Sequence, residues 1–342
     1  MALELVDPNP TTRPRLTPLA WAVKGEQEVV VKMLLERDDV NPNIADWHGR
    51  TPLFRAAFMG NERVLKLLLE REDINPDTAN DDGETPLAMA IWMGHEGVVK
   101  MLLERGDVNP NISYLGETPL LSAIMRRKEA MVKMLLERND INPNVVGIGG
   151  ASPLLRAAQG GHEGVVKMLL ERKDLSPNLG NEYGRTPLMA AARWGHEGVV
   201  KILLEREDVN PNTADDFGET PLSTAAKFGH EGVVKMLLER KDLSPNLGNE
   251  YGRTPLMAAA GVGYEGIVKM LLERGDVNPN TADISGETAL SHALKYGHHA
   301  ITKLLSDHKI LIPPSDGDRF TTLPSPEPSN LDQHLSGIIR RF

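Results

Sequence analysis

The chain has 342 residues and a net charge of −10, with 48 acidic against 38 basic side chains and 40% apolar residues. This balance disfavours nucleic acid as the main partner, because a phosphate backbone needs a basic face, and it leaves basic proteins open. With no cysteine, disulfides, thiolate catalysis and cysteine-held zinc are excluded, and no apolar run approaches the roughly 18–20 residues that span a bilayer.

Residues 1–15 read as an N-terminal remnant or cap, and Met1 to Thr12 carries acids and prolines and no apolar signal core, which points to the cytoplasm, with the nucleus open. From there one pattern takes over. Thr-Pro-Leu begins at Thr17, Thr51, Thr85, Thr118, Thr186, Thr220 and Thr254, with Ser152-Pro153-Leu154 and Thr288-Ala289-Leu290 as variants. The step is 34 residues, save 33 between Thr85 and Thr118, so residues 16–308 read as nine tandem repeats. Leu-Leu-Glu-Arg recurs in register at Leu34, Leu68, Leu102, Leu135, Leu169, Leu203, Leu237 and Leu271.

Each repeat reads as two short helices and a turn. In the second, Thr51 suits an N-cap and Pro52 the first helical position, where a missing N–H costs nothing. Leu53, Ala56 and Ala57 give that helix a narrow apolar face, and Gly60 can stop it in a left-handed conformation. Val64, Leu65, Leu68 and Leu69 supply the core face of the next helix, before turn chemistry at Asn75-Pro76-Asp77 and Asp82-Gly83. One unit cannot bury these faces alone; nine stacked at helix-packing distance would form an arc of about 80–90 Å.

The fourth repeat is irregular. It follows the 33-residue step, and Met125-Arg126-Arg127-Lys128 replaces the usual Gly-His ending. Arg127 takes the place of the turning glycine, at a cost of about 1 kcal/mol if that conformation is left-handed. Its following turn, Gly147-Ile148-Gly149-Gly150, lacks both the Lys-Ser/Thr ending and the preceding strand of a phosphate loop. Residues 173–192 and 241–260 are identical, which suggests duplication of a two-repeat block, so the surface near Tyr183 should recur near Tyr251.

The ends differ from the middle. Val6 to Thr11 looks like the worn ending of an earlier repeat, which raises the expectation of a longer parent chain. Ala289 and Leu-Leu-Ser-Asp at 304–307 suit a C-terminal cap, and residues 309–342 form a tail rich in Pro and Ser. Within it Leu331, Leu335, Ile338, Ile339 and Phe342 fall on one face of a possible helix over 331–342.

Thr-Pro-Leu, the Ala-Ala pair, Gly195-His196 and the run Val98 to Leu103, all in register, resemble the ankyrin-repeat family. The resemblance covers residues 16–308 and implies an all-α solenoid of helix–turn–helix units with short β-hairpin or turn tips. Endings such as Asp107 to Asn111 look like the arrays common in fungal-type proteins, where they often trail a nucleotide-binding switch domain in immune-receptor-like chains; no switch domain is present in this sequence.

The family arrangement implies that turn tips and first helices line a concave face. Trp47, Tyr114, Tyr183, Phe217 and Tyr251 then fall at tips, and Trp21, Phe58, Trp92, Trp194, Phe228 and Tyr296 on first helices, which is eleven of the fifteen aromatics. Aromatic side chains anchor interfaces, so these are candidate partner contacts. Arg50, Glu84, Glu117, Arg185, Glu219, Arg253 and Glu287 precede the repeat motif and should run along the same face, where charge sets orientation; Arg126 of the irregular repeat joins them.

The chemistry of catalysis is thin. His95, His162, His196, His230 and His298 lie one repeat or its multiples apart, too far for one metal ion, and the resemblance implies that they secure the turn between helices. Only His292, His298 and His299 come closer in sequence. No nucleophile motif appears, and no cofactor or metal is expected. The expected function is a monomeric scaffold holding a protein partner. Two other readings stay open: an enzyme using groove carboxylates such as Glu84 and Glu117, and a regulatory arm of a larger switch protein.

Overall fold

The computed structural model of the protein describes Asn9 and residues 16–311, with side chains to 308. Eighteen α-helices follow one another in nine pairs between Pro18 and Leu311. The sixth repeat shows why. Thr186 Oγ1 accepts the Met189 N–H, Pro187 fills the first helical position, and the helix Pro187–Trp194 ends at Gly195 with φ +70°. Leu188, Met189, Ala191 and Ala192 are buried along it. The partner helix Glu197–Leu204 carries Glu197 in its first turn, where the helix dipole favours an acid, and buries Val199, Val200 and Leu203.

These faces join into one core of Leu, Val, Ile, Ala and Met running the length of the array, with Phe54 as its buried aromatic. Truncating one fully buried leucine, such as Leu203, would cost about 2–5 kcal/mol. The first helices pack more densely on one another than the second helices do. Small alanines such as Ala191 and Ala192 permit this close approach.

Four polar rows also tie neighbouring repeats together. On the second-helix side, the arginine of each Leu-Leu-Glu-Arg unit forms a forked ion pair with the aspartate two residues on. Arg138 bonds Asp140 at 2.8 and 2.6 Å, and its Nη1 donates to Leu103 O and Arg105 O of the repeat before, at 2.8 and 2.9 Å. It thereby satisfies carbonyls that a helix end leaves open. Asparagine forms a second row: Asn43 Nδ2 donates to Asp73 O, and its Oδ1 accepts the Asn75 N–H. Asn9 makes the same two bonds to Asp39 O and the Asn41 N–H.

The third row links the tips through backbone. Asp216 N donates to Tyr183 O, Glu250 N to Phe217 O and Ile284 N to Tyr251 O, at 2.9–3.0 Å. The fourth uses histidine. His95, His196, His230 and His298 place Nε2 within 2.9–3.2 Å of a carbonyl near the first-helix end of the preceding repeat, at Phe58, Gln159, Arg193 and Gly261. The histidines thus secure the turn of the neighbouring repeat rather than only their own. Glycine at that neighbouring turn makes room: a Cβ on Gly60 would lie 2.5 Å from His95 Nδ1.

Of the β-hairpin or turn tips expected, the tips are turns. Among the described residues no strand forms, and the single bridge pairs Tyr114 with Glu117. At six other tips an Asp or Asn side chain closes the turn; Asp46 Oδ1 accepts from His48 N and Arg50 N, both at 2.9 Å, while the fifth is closed by backbone alone, Gly147 N donating to Ala151 O. The 33-residue step removes one residue from the fourth tip. Leu115 and Gly116, at φ +48° and +77°, then make the tight two-residue turn that pairing requires. The helix drawn over 331–342, the tail beyond 311 and the reading of residues 6–11 as a worn repeat ending, Asn9 apart, lie outside the described residues.

Candidate functional site

Every first helix ends with its last turn toward solvent, and this turn carries the aromatic row. Trp21, Phe58, Trp92, Trp194, Phe228 and Tyr296 are exposed, with Trp194 at 55% and Phe228 the least at 37%. Trp47, Tyr183, Phe217 and Tyr251 are exposed at the tips, while Tyr114 is half-buried against its bridge and Gly83. Large rings left this open are not core residues. The repeat motif holds them outside because Leu, Ala and Val at the neighbouring positions fill the interior.

Cations lie over several rings. The Arg126 guanidinium sits 3.1 Å from the centre of the Trp92 ring, and that of Arg193 4.3 Å from Phe228. Arg185 lies 5.8 Å from Tyr183 and 6.0 Å from Phe217, and Arg253 6.0 Å from Tyr251. The duplicated blocks therefore present the same pairing at Tyr183 and Tyr251. Arg50 and Arg126 each bury a guanidinium Nε without a hydrogen-bond partner among the described residues.

Three cavities bring these residues together, one of about 230 Å³ joining Glu219, Arg253 and Tyr296. The largest, of about 460 Å³, gathers Trp194, Phe217, Phe228 and Tyr251 with Arg185, Arg193, Glu219 and Arg253. The third, of about 270 Å³, lies at the irregular fourth repeat, where Trp92, Tyr114, Leu115 and Ile148 surround Glu84 and Glu117. Trp21, Trp47, Phe58 and Arg50, by contrast, line none of the three. Glu287 lies at the last tip, where Lys295 Nζ donates to it at 3.0 Å.

A buried polar row beneath the groove was missed in the sequence. Asp46 pairs with Arg55, Asp215 with Arg185 at 3.3 Å, and Asp283 with Arg253 at 3.7 Å. Burial pushes the Asp46 carboxyl up, but the Arg50 and His48 N–H groups and Arg55 outweigh it and hold it below the usual range. A signal was present. Where the tip residue is Asp46, Asp215 or Asp283, the fifth residue of the motif is Arg55, Thr224 or His292. Where it is Asn80, Asn181 or Asn249, that residue is Met89, Ala190 or Ala258. A carboxylate in this buried place needs a polar neighbour; an amide does not.

The histidines do not converge on one another, since His298 is engaged by Gly261 O. Among the described residues, Asp283, Glu287 and His292 alone bring three potential metal ligands within 4.8 Å.

The model of the family of ankyrin repeats, in three-copy units, matches residues 1–80, 73–146, 140–215 and 207–283. The chain belongs to the ankyrin-repeat family. No curated protein sequence matches it. Ankyrin repeats generally serve as protein-interaction modules. Among the described residues no helix is long and apolar enough to cross a membrane.

Proposed function

We propose that this ankyrin array is a monomeric, cytoplasmic scaffold that holds a protein partner along its first-helix groove. The observation that carries the reading is the convergence of Trp194, Phe217, Phe228 and Tyr251 on one cavity of about 460 Å³. Trp92, Trp194 and Phe228 are the anchors, with Trp47, Tyr183, Phe217 and Tyr251 in contact at the tips. Rings burying against a partner supply the affinity, while Arg185, Glu219 and Arg253 set its orientation.

The test compares the wild-type chain with the triple variant Trp92→Ala, Trp194→Ala, Phe228→Ala, after circular dichroism shows both are folded. A protein captured from native extract is purified and its affinity measured directly. The single change Trp194→Ala should weaken binding by at least about 1–2 kcal/mol. Equal affinity of the triple variant and the wild type would remove the groove as the binding face.

A further inference from the structure

The seventh and ninth repeats are built on one polar scaffold. Asp215, Glu219, Ser223 and Lys227 of the seventh match Asp283, Glu287, Ser291 and Lys295 of the ninth. In both, the aspartate Oδ1 accepts two backbone N–H groups of its own tip, from Phe217 and Glu219 in one and from Ser285 and Glu287 in the other. Both first helices open on a capping box between Thr and Ser. An arginine from the preceding repeat faces each aspartate, and a lysine faces each glutamate.

Of the positions that differ between the two repeats, one lies beside the aspartate of the ninth. The seventh repeat has Thr224 where the ninth has His292. The seventh shows that tip, cap and ion pairs are complete with threonine there, so His292 is an addition the scaffold does not require. Its Nε2 lies 3.3 Å from Asp283 Oδ2 and 3.6 Å from Glu287 Oε2. The side chains of Asp283 and His292 are only 2% and 5% exposed, and that of Glu287 is 29% exposed.

A four-coordinate zinc ion has Zn–N and Zn–O bonds of about 2.0–2.2 Å, which in a tetrahedron spaces ligand atoms about 3.3–3.6 Å apart. Two edges of the triangle already have that length, and all three atoms lie within 4.8 Å of one another. We propose that Asp283 Oδ2, Glu287 Oε2 and His292 Nε2 form a binding site for a divalent transition metal of the zinc type. Glu287, the most exposed of the three, closes the last edge by moving inward. Imidazole among the donors selects zinc-type ions over magnesium or calcium, which prefer oxygen alone.

The charge around the site suits a dication. Arg253 stands 3.7 Å from Asp283 Oδ2 and Lys295 3.0 Å from Glu287 Oε1. Both side chains are 51% exposed, so both can swing into solvent. One divalent ion then replaces two single positive charges without changing the local balance. His292 also lines a cavity of about 230 Å³ together with Tyr296 and Arg253.

The experiment uses the full untagged chain, stripped with chelator and titrated calorimetrically with zinc chloride, beside His292→Thr, Glu287→Gln and Lys295→Ala. His292→Thr installs the residue that the seventh repeat already tolerates, so its fold is expected to survive, and Glu287→Gln tests the site independently. Wild type should bind one equivalent. Both ligand variants should bind at least about 10-fold more weakly, since changes behind the ligands alone cost about that much. Lys295→Ala should bind more tightly, because a competing cation is gone. Absence of binding by wild type, equal binding by His292→Thr, or magnesium binding as well as zinc would each overturn the site.

Discussion

At the position that ends every first helix the backbone turns left-handed, and Arg127 is where this demand is met by the wrong side chain. Seven of the nine repeats place glycine there; Glu26 and Arg127, at φ +53° and +57°, do not. The side chain has a second consequence. Its Cβ occupies the space into which the next histidine would reach, and His162 makes none of the carbonyl contacts of its counterparts. Burial first, and then the Arg127 charge, lower the His162 imidazole pKa. Arg127→Gly should therefore raise stability by about 1 kcal/mol, measured by urea unfolding, through relief of left-handed strain and a restored rung. Arg127→Ala keeps the Cβ and the strain, so it should give no such gain; an equal gain would show that charge alone was at fault. The strain was legible in the sequence, because seven other repeats place glycine at this position. The blocked histidine was not, because it depends on a contact between side chains 35 residues apart.

Among the elements, the helix pairs were legible and the ties between them were not. Thr-Pro-Leu announces an N-cap and a first helical turn, and Thr186 and Pro187 take those roles. Leu-Leu-Glu-Arg announced only periodicity, although its arginine is the residue that joins each second helix to the one before. Seven of these pairs, from Arg37–Asp39 to Arg240–Asp242, have aspartates held below the usual carboxylate range, chiefly by the arginine hydrogen bonds. The unfolded chain, with a carboxyl pKa of about 3.9, takes up protons first as pH falls. Each pair thus lends stability that is present above that value and lost as pH drops through the folded pKa. These aspartates are half exposed, so each contribution is modest, but it repeats along the array. Thermal unfolding should hold level from pH 7 to about pH 5 in respect of these groups and fall steeply below about pH 4. In Asp140→Asn the drop from pH 5 to pH 3 should be smaller than in wild type, and an unchanged drop would rule out this source of acid sensitivity.

For the whole molecule, stability is the sum of each repeat and its contacts with its neighbours, so the array comes apart where those contacts are fewest. Between the second and third repeats, Asp81 N bonds His48 O at the tips and His95 bonds Phe58 O. From the fifth repeat to the ninth, a backbone rung joins every pair of tips. The two interfaces of the fourth repeat have neither tie. Tyr114 N is turned inward to Glu117 O by the shortened tip, Lys128 stands in the histidine position, and His162 is blocked. The Arg138 and Arg172 staples persist there, so the repeat stays joined at its second-helix side while its groove side is loosened. This is also where the cavity around Trp92, Glu84 and Glu117 opens. Urea unfolding followed by hydrogen exchange should therefore show two cooperative blocks divided at the fourth repeat, with amides of residues 113–150 exchanging faster than those of 181–219. Restoring a regular tip by inserting one residue after Ser113, together with Arg127→Gly, should merge the two transitions into one. A single transition in the wild-type chain, with uniform protection across the fourth repeat, would mean that the apolar core and the arginine staples carry the coupling unaided.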